Sequence, residues 1–176
     1  YWGKNLVRNF HELGALHTVC DSSTAALAAM QKNYPEITVA TAADLVMANP
    51  AIKAVAIASP AETHYEVVKR ALLKGKDVYV EKPLALTAQH GEELVKIAHH
   101  EGRILMVGHL LQYHPAVLKL KELIETGALG NVQYIYSNRL NIGKLRTEEN
   151  ILWSFAPHDI SVLLMLLGQS PLRVMC

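Results

Sequence analysis

The sequence predicts an α/β fold: a doubly wound parallel-sheet domain followed by the start of a second domain that opens with a helix and a half-exposed strand. Three observations carry this. Short apolar runs alternate with helix-length amphipathic segments through the first two thirds of the chain. Those runs are apolar throughout, as strands covered on both faces must be. After Pro115 the pattern changes, and residues 132–140 alternate in polarity as a half-exposed strand does.

Each element follows in order. Residues 4–13 carry helical spacing (Leu6, Val7, Phe10, Leu13) and stop at Gly14, a C-terminal helix signal. Residues 16–20 read as a strand ending at Asp21, after which Ser22 or Ser23 caps a helix through Met30. Residues 37–40 make a strand, 42–48 a short helix, and 54–58 a wholly apolar strand. A helix after Ser59-Pro60 runs to Leu73 and ends before Gly75; residues 78–80 form the next strand. Thr87 caps a helix to His100, Gly102 stops it, and residues 103–108 are the last strand of the series. Right-handed crossovers between such strands give the doubly wound topology.

Beyond Pro115, residues 116–126 read as a helix ending at Gly127, and Gly130-Asn131 turns into the strand 132–140. Pro157 opens a helix through Leu167, closed by Gly168, and residues 172–175 look like a strand. One strand and one unfinished strand do not complete a sheet. The expected organisation is therefore a doubly wound domain over residues 1–112 and a truncated second domain over residues 113–176.

Composition bounds the function. The chain has 176 residues, 51% hydrophobic and 19% charged, as a core-forming protein has. A formal net charge of +1 gives no reason to expect a nucleic acid or an anionic membrane as partner. The two cysteines, Cys20 and Cys176, make no disulfide framework, which fits a reducing cytoplasm. No apolar stretch is long enough to span a bilayer. His17, His90, His99, His100 and His114 lack metal-ligand spacing with carboxylates or thiols, so no metal site is expected.

Glu81-Lys82-Pro83 stands at the end of the apolar run Asp77-Val78-Tyr79-Val80. A lysine there sits at the carboxyl edge of a parallel sheet, where open α/β folds bind ligands, and Pro83 turns the backbone out of the ladder. Such a lysine donates protons to a substrate hydroxyl or leans its charge on a bound cofactor; the plainer role is a solvated strand end. A dinucleotide site wants strand, G-x-G-x-x-G and helix, with an acidic residue about 20 positions on. Gly3 falls at the third glycine and Asp21 at the acidic position. Asp21 would accept from the adenosine ribose hydroxyls and repel a 2′-phosphate, favouring NAD over NADP. It is equally suited to capping the next helix.

Gly3 with Asp21, Ser59-Pro60, Glu81-Lys82-Pro83, and Pro157-His158-Asp159 ahead of Leu166-Leu167-Gly168 together resemble the Gfo/Idh/MocA oxidoreductase family. Tyr1-Trp2-Gly3-Lys4-Asn5, Gly108-His109-Leu110-Leu111 and the stretch Leu152-Trp153-Ser154-Phe155-Ala156-Pro157-His158-Asp159 resemble its UDP-N-acetylglucosaminuronate 3-dehydrogenase subgroup. The resemblance implies an NAD-binding Rossmann domain over residues 1–112, without its first strand, joined to a substrate and oligomerisation domain, an α/β C-terminal domain with an open, mostly antiparallel sheet, in an enzyme that oxidises a secondary hydroxyl of a sugar. The implied substrate is a nucleotide-linked uronic acid at C3, and the protein is expected to be a homo-oligomer when full length.

By the same resemblance Lys82 and His158 are catalytic, Lys82 close to nicotinamide and substrate hydroxyl and His158 as the base. The family often has an aspartate four positions before that histidine, and this chain has Ser154. Trp2, Gly3, Lys4, Asn5, Asp21, Ser22, Ser59, Pro60, His64, Glu81, Lys82 and Gln112 fall where NAD is expected. Tyr113, Arg139, Asn141 and His158 are candidates for the substrate, Arg139 suiting a uronate carboxylate. Two other functions fit the same residues: an inositol or free-sugar dehydrogenase, and a regulatory protein that binds a dinucleotide without turnover.

Overall fold

In α4 (Ala61–Leu73) the residues His64, Val68, Ala71 and Leu72 recur at helical spacing and form one buried stripe. That stripe closes over a parallel three-stranded sheet of β3 (Ala54–Ile57), β4 (Asp77–Val80) and β5 (Leu105–Val107), with β4 in the middle. Val55 pairs with Val78 and Val78 with Leu105, so the three strands run in step. Leu94 and Ala98 of α5 (Ala88–His100) complete the core with Met47, Ile57, Val78 and Val80. Val68, Leu72, Val80 and Leu94 are fully buried. The computed structural model describes residues 2–138 and 151–175.

The chain forms two compact units, residues 1–108 and 109–176. The first also holds α1 (Gly3–Glu12), α2 (Thr24–Asn33), α3 (Ala43–Ala48), and a parallel pair of β1 (Thr18–Cys20) with β2 (Thr38–Ala40). The second holds a 3-10 turn (Leu110–Tyr113), α6 (Pro115–Glu125) and α7 (Ile151–Leu167). Glycine ends the helices as expected: Gly14 (φ 65°) and Gly75 (φ 71°) take the left-handed conformation that other residues adopt at a cost. Among the described residues no helix is long and apolar enough to cross a membrane.

At the amino edge of the β3–β4 pair, the buried Lys76 donates from Nζ to the carbonyls of Asn49 (2.8 Å) and Ile52 (2.7 Å). A buried ammonium is tolerated because it meets acceptors from the irregular segment before β3.

Four expectations need correction. Among the described residues the parallel strands fall in two sheets, β1–β2 and β3–β4–β5, rather than in one continuous sheet. Among the described residues no strand joins β1 to β3. Residues 132–138 form no strand: Tyr134 and Tyr136, on one face of the expected alternation, are 84% and 78% exposed. Residues 172–175 also form no strand, and Leu172, Val174 and Met175 stand in solvent. An alternating segment becomes a strand only where a neighbour takes up its backbone N–H and C=O groups, and none is described here. The antiparallel sheet expected in the second unit is thus absent from the described residues. Finally, α7 begins at Ile151 and carries Pro157 inside it. Proline suits a helix start but is excluded only where its missing N–H and ring cannot be accommodated, and the apolar residues before it extend the helix upstream.

Leu94→Ala should destabilise the protein by about 2–5 kcal/mol, because the cavity opens in a site with no exposure. The same change at Leu13, 75% exposed, should be close to neutral. Denaturant midpoints at unchanged slope would check both.

Candidate active site

Because β3, β4 and β5 end in register, the residues after them gather at one carboxyl edge. These are Ser59-Pro60, Glu81-Lys82-Pro83 and Gly108. The ladder runs one step past β4: the Glu81 amide donates to the Ile57 carbonyl (2.9 Å), and the Gly108 amide to the Val80 carbonyl (2.8 Å). Glu81 is thus held as a strand residue, and the chain leaves the sheet through Lys82 and a cis Lys82–Pro83 peptide.

The Glu81 carboxylate is gripped from two sides. Trp2 donates from Nε1 (2.8 Å) and Tyr79 from its hydroxyl (3.0 Å), both to Oε1. Tyr79 reaches it because residues two apart share a strand face. Gly108 makes room for the pair: a Cβ there would lie 2.5 Å from the Tyr79 hydroxyl and 3.2 Å from both carboxylate oxygens. Lys82 itself is half-buried, and Pro83 is buried.

The sequence sets His64 along a cofactor crevice, but the ring is only 1% exposed. Its Nδ1 lies 2.6 Å from the Pro83 carbonyl and its Nε2 2.9 Å from the Ser59 carbonyl. Ser59 is also engaged, its hydroxyl 2.7 Å from that of Thr63, which donates to the Pro60 carbonyl (2.7 Å). The Thr63 proton being spent on Pro60, Ser59 is the donor to Thr63.

Asp21 follows β1 and is exposed, its Oδ1 accepting from the Ser23 amide (2.8 Å). Ser23, not Ser22, caps α2 by accepting from the Ala26 amide. Partial burial and, second, the Asp21 carboxylate push the Cys20 thiol above its ordinary value. Cys20 therefore stays a protonated thiol at neutral pH. Trp2 is the N-cap of α1, with Gly3 its first residue; the Trp2 side chain makes no capping hydrogen bond, and the first turn holds no acidic residue. Lys4 and Asn5 line a hollow of about 360 Å³ together with Arg8, Met30, Asn33 and Tyr34.

The remaining candidates lie in the second unit. Gln112 donates from its amide to the Ser161 carbonyl (3.2 Å), tying the 3-10 turn to α7. Ser161 in turn donates to the His158 carbonyl (2.8 Å), and the His158 side chain is half-buried. Tyr113 is 62% exposed. Burial pushes the His109 imidazole below its ordinary value, and no partner for its Nδ1 is found among the described residues. Arg139 and Asn141 lie outside the described residues. Sequence reasoning missed Tyr79 and Gly108; a tyrosine two before a strand-terminal glutamate was the only local signal.

Residues 2–109 match the family model described as "Oxidoreductase family, NAD-binding Rossmann fold". The chain is 28% identical over 124 residues to UDP-N-acetylglucosamine 3-dehydrogenase of Acidithiobacillus ferrooxidans, covering 70% of this chain and 38% of that protein. It is also 28% identical over 124 residues to scyllo-inositol 2-dehydrogenase (NADP(+)) of Bacillus subtilis, covering 70% and 34%. Apo scyllo-inositol dehydrogenase of Lactobacillus casei matches with a TM-score of 0.74 at 19% identity, covering 87% of this chain and 47% of that one; this likeness bears on the fold alone. The chain thus spans between a third and two fifths of the length of these two curated relatives.

Gly108→Ala should displace the Tyr79 hydroxyl from Glu81 and cost about 1–3 kcal/mol by overpacking. Tyr79→Phe, which removes only the hydrogen bond, should cost about 0.5–1.5 kcal/mol. Urea unfolding of both variants against the parent protein would rank them.

Proposed function

The chain belongs to the Gfo/Idh/MocA oxidoreductase family, and from that premise we propose that the whole protein is an NAD-dependent dehydrogenase acting on a secondary hydroxyl of a sugar or polyol. The observation that carries the reading is Glu81-Lys82-Pro83, held at the carboxyl edge of β4 by the sheet ladder and the Trp2 and Tyr79 hydrogen bonds. Such edges are where α/β sheets receive ligands. In this reading residues 1–112 are the nucleotide half, and 113–176 begin the half that binds substrate and carries self-association.

The residues present fit a dinucleotide. The start of α1 makes no capping hydrogen bond with the side chain of its N-cap residue, Trp2, and has no acid in its first turn, so its positive end suits an anion such as a diphosphate. Gly3, Lys4 and Asn5 would hold that group, and the exposed Asp21 carboxylate would take the ribose hydroxyls. When bound, a nicotinamide cofactor supplies the hydride acceptor. The protein's share is proton handling and charge. His158, as neutral imidazole, takes the hydroxyl proton while the carbinol C–H bond breaks and the carbonyl forms. The Lys82 ammonium stabilises the negative charge that develops on oxygen. Glu81 and Ser59, whose side chains are engaged within the protein, act by position.

The finer substrate we propose is a nucleotide-linked uronic acid oxidised at C3, on the wording of the segments around Trp2, Gly108 and His158. An inositol dehydrogenase is the second reading, favoured by the equal 28% identity to the scyllo-inositol enzyme.

Reduced nicotinamide formation, followed by absorbance with the intact protein, tests this directly. Lys82→Ala and His158→Ala should each lower kcat by about 100-fold or more while NAD still binds. Activity on UDP-N-acetylglucosaminuronate but not myo-inositol selects the nucleotide-sugar branch, and the reverse selects the second reading. NAD binding without turnover on either would make the protein a sensor. Asp21→Ala should weaken NAD and narrow its advantage over NADP by about 10-fold or more, read by titration of each cofactor.

A further inference from the structure

We infer that His64 is a positioning residue for Lys82, fastening the loop after β4 to the loop after β3. The inference rests on the catalytic role proposed for Lys82. The ring sits in the first turn of α4, whose place is fixed one turn later by the fully buried Val68. From there its two nitrogens reach two carbonyls on neighbouring strand exits, Ser59 and Pro83. Carbonyl oxygens only accept, so each contact is a hydrogen bond only when the nitrogen facing it carries a proton.

Lys82 therefore lies between two anchored neighbours. On its amino side, Glu81 is held by Trp2 and Tyr79. On its carboxyl side, the Pro83 carbonyl lies 2.6 Å from His64 Nδ1, and the inferred anchor is the tautomer with the proton on that nitrogen. Proline brings no amide hydrogen to hold this turn itself, which leaves the carbonyl as its polar handle. An imidazole buried at 1% exposure with both nitrogens aimed at strand-exit carbonyls is suited to setting geometry at a distance from substrate. The distance matters, since displacements of about 1 Å in a catalytic group can cost on the order of 100-fold in rate.

Two replacements separate the two contacts. Asparagine places an amide donor near the position of Nδ1 and keeps the Pro83 link; glutamine places one near Nε2 and keeps the Ser59 link. Both lose a buried ring, so a merely structural role would penalise them alike. In the intact protein, His64→Gln should lower kcat by about 10- to 100-fold with NAD affinity within about twofold of the parent. His64→Asn should retain most of kcat. Hydrogen exchange of the amides in residues 81–86, read by mass spectrometry, should rise about 5- to 10-fold in His64→Gln and stay near the parent rate in His64→Asn. This second readout needs no substrate: if the parent protein oxidises no sugar or polyol but exchange still separates the variants, the anchor stands and the dehydrogenase reading falls. Equal kcat and equal exchange in the two variants, or parent values in His64→Gln, would overturn the anchor.

Discussion

The candidate site depends on one constraint: β4 must be the middle strand of a parallel sheet, and the α4 stripe must close over it. Val78 and Val80 are 2% and 0% exposed, against Val68, Ala71 and Leu72, all at 0%. With a strand period of 2 and a helix period of 3.6, only one registration buries both stripes at once. That registration brings the ends of β3, β4 and β5 level, and it decides which residues share the edge. The hydrophobic contact is non-directional, but its consequence for Glu81, Lys82 and Pro83 is a defined place.

Where the ladder stops, backbone groups need other partners, and this protein supplies them with buried polar side chains at both ends of the β3–β4 pair. At the amino end Lys76 donates to the carbonyls of Asn49 and Ile52; at the carboxyl end the His64 ring lies between those of Ser59 and Pro83 and donates through the nitrogen that carries the proton. Each joins two segments far apart in sequence through one donor-bearing group. Losing such a group leaves buried carbonyls without partners, which costs more than the bonds contribute net.

The same economy shapes the side chains expected to meet the cofactor. Glu81 through Oε1, the Ser59 hydroxyl and the His64 ring are each engaged inside the protein. Asp21 is exposed, and the first turn of α1 holds no acidic residue; one is a negative group and the other the positive end of a helix. In the proposed reading a ribose diol would meet the first and a diphosphate the second.

By itself the sequence determined the alternation of strands and helices in the first unit, the glycine stops, the parallel pairing and the family. These follow from local periodicity and from motifs that keep their spacing. Residues 132–138 and 172–175 show where that reasoning fails: their apolar residues promise strands, but pairing is supplied by distant chain and is not encoded in the segment. Pro157 misled in the same way, because whether a proline starts or interrupts a helix depends on what packs around it. Only the tertiary structure decided that Tyr79, Trp2 and Gly108 converge on Glu81, and that His64 lies between two strand exits. Trp2 and Glu81 are 79 positions apart in sequence, and only the folded chain brings them within hydrogen-bond reach.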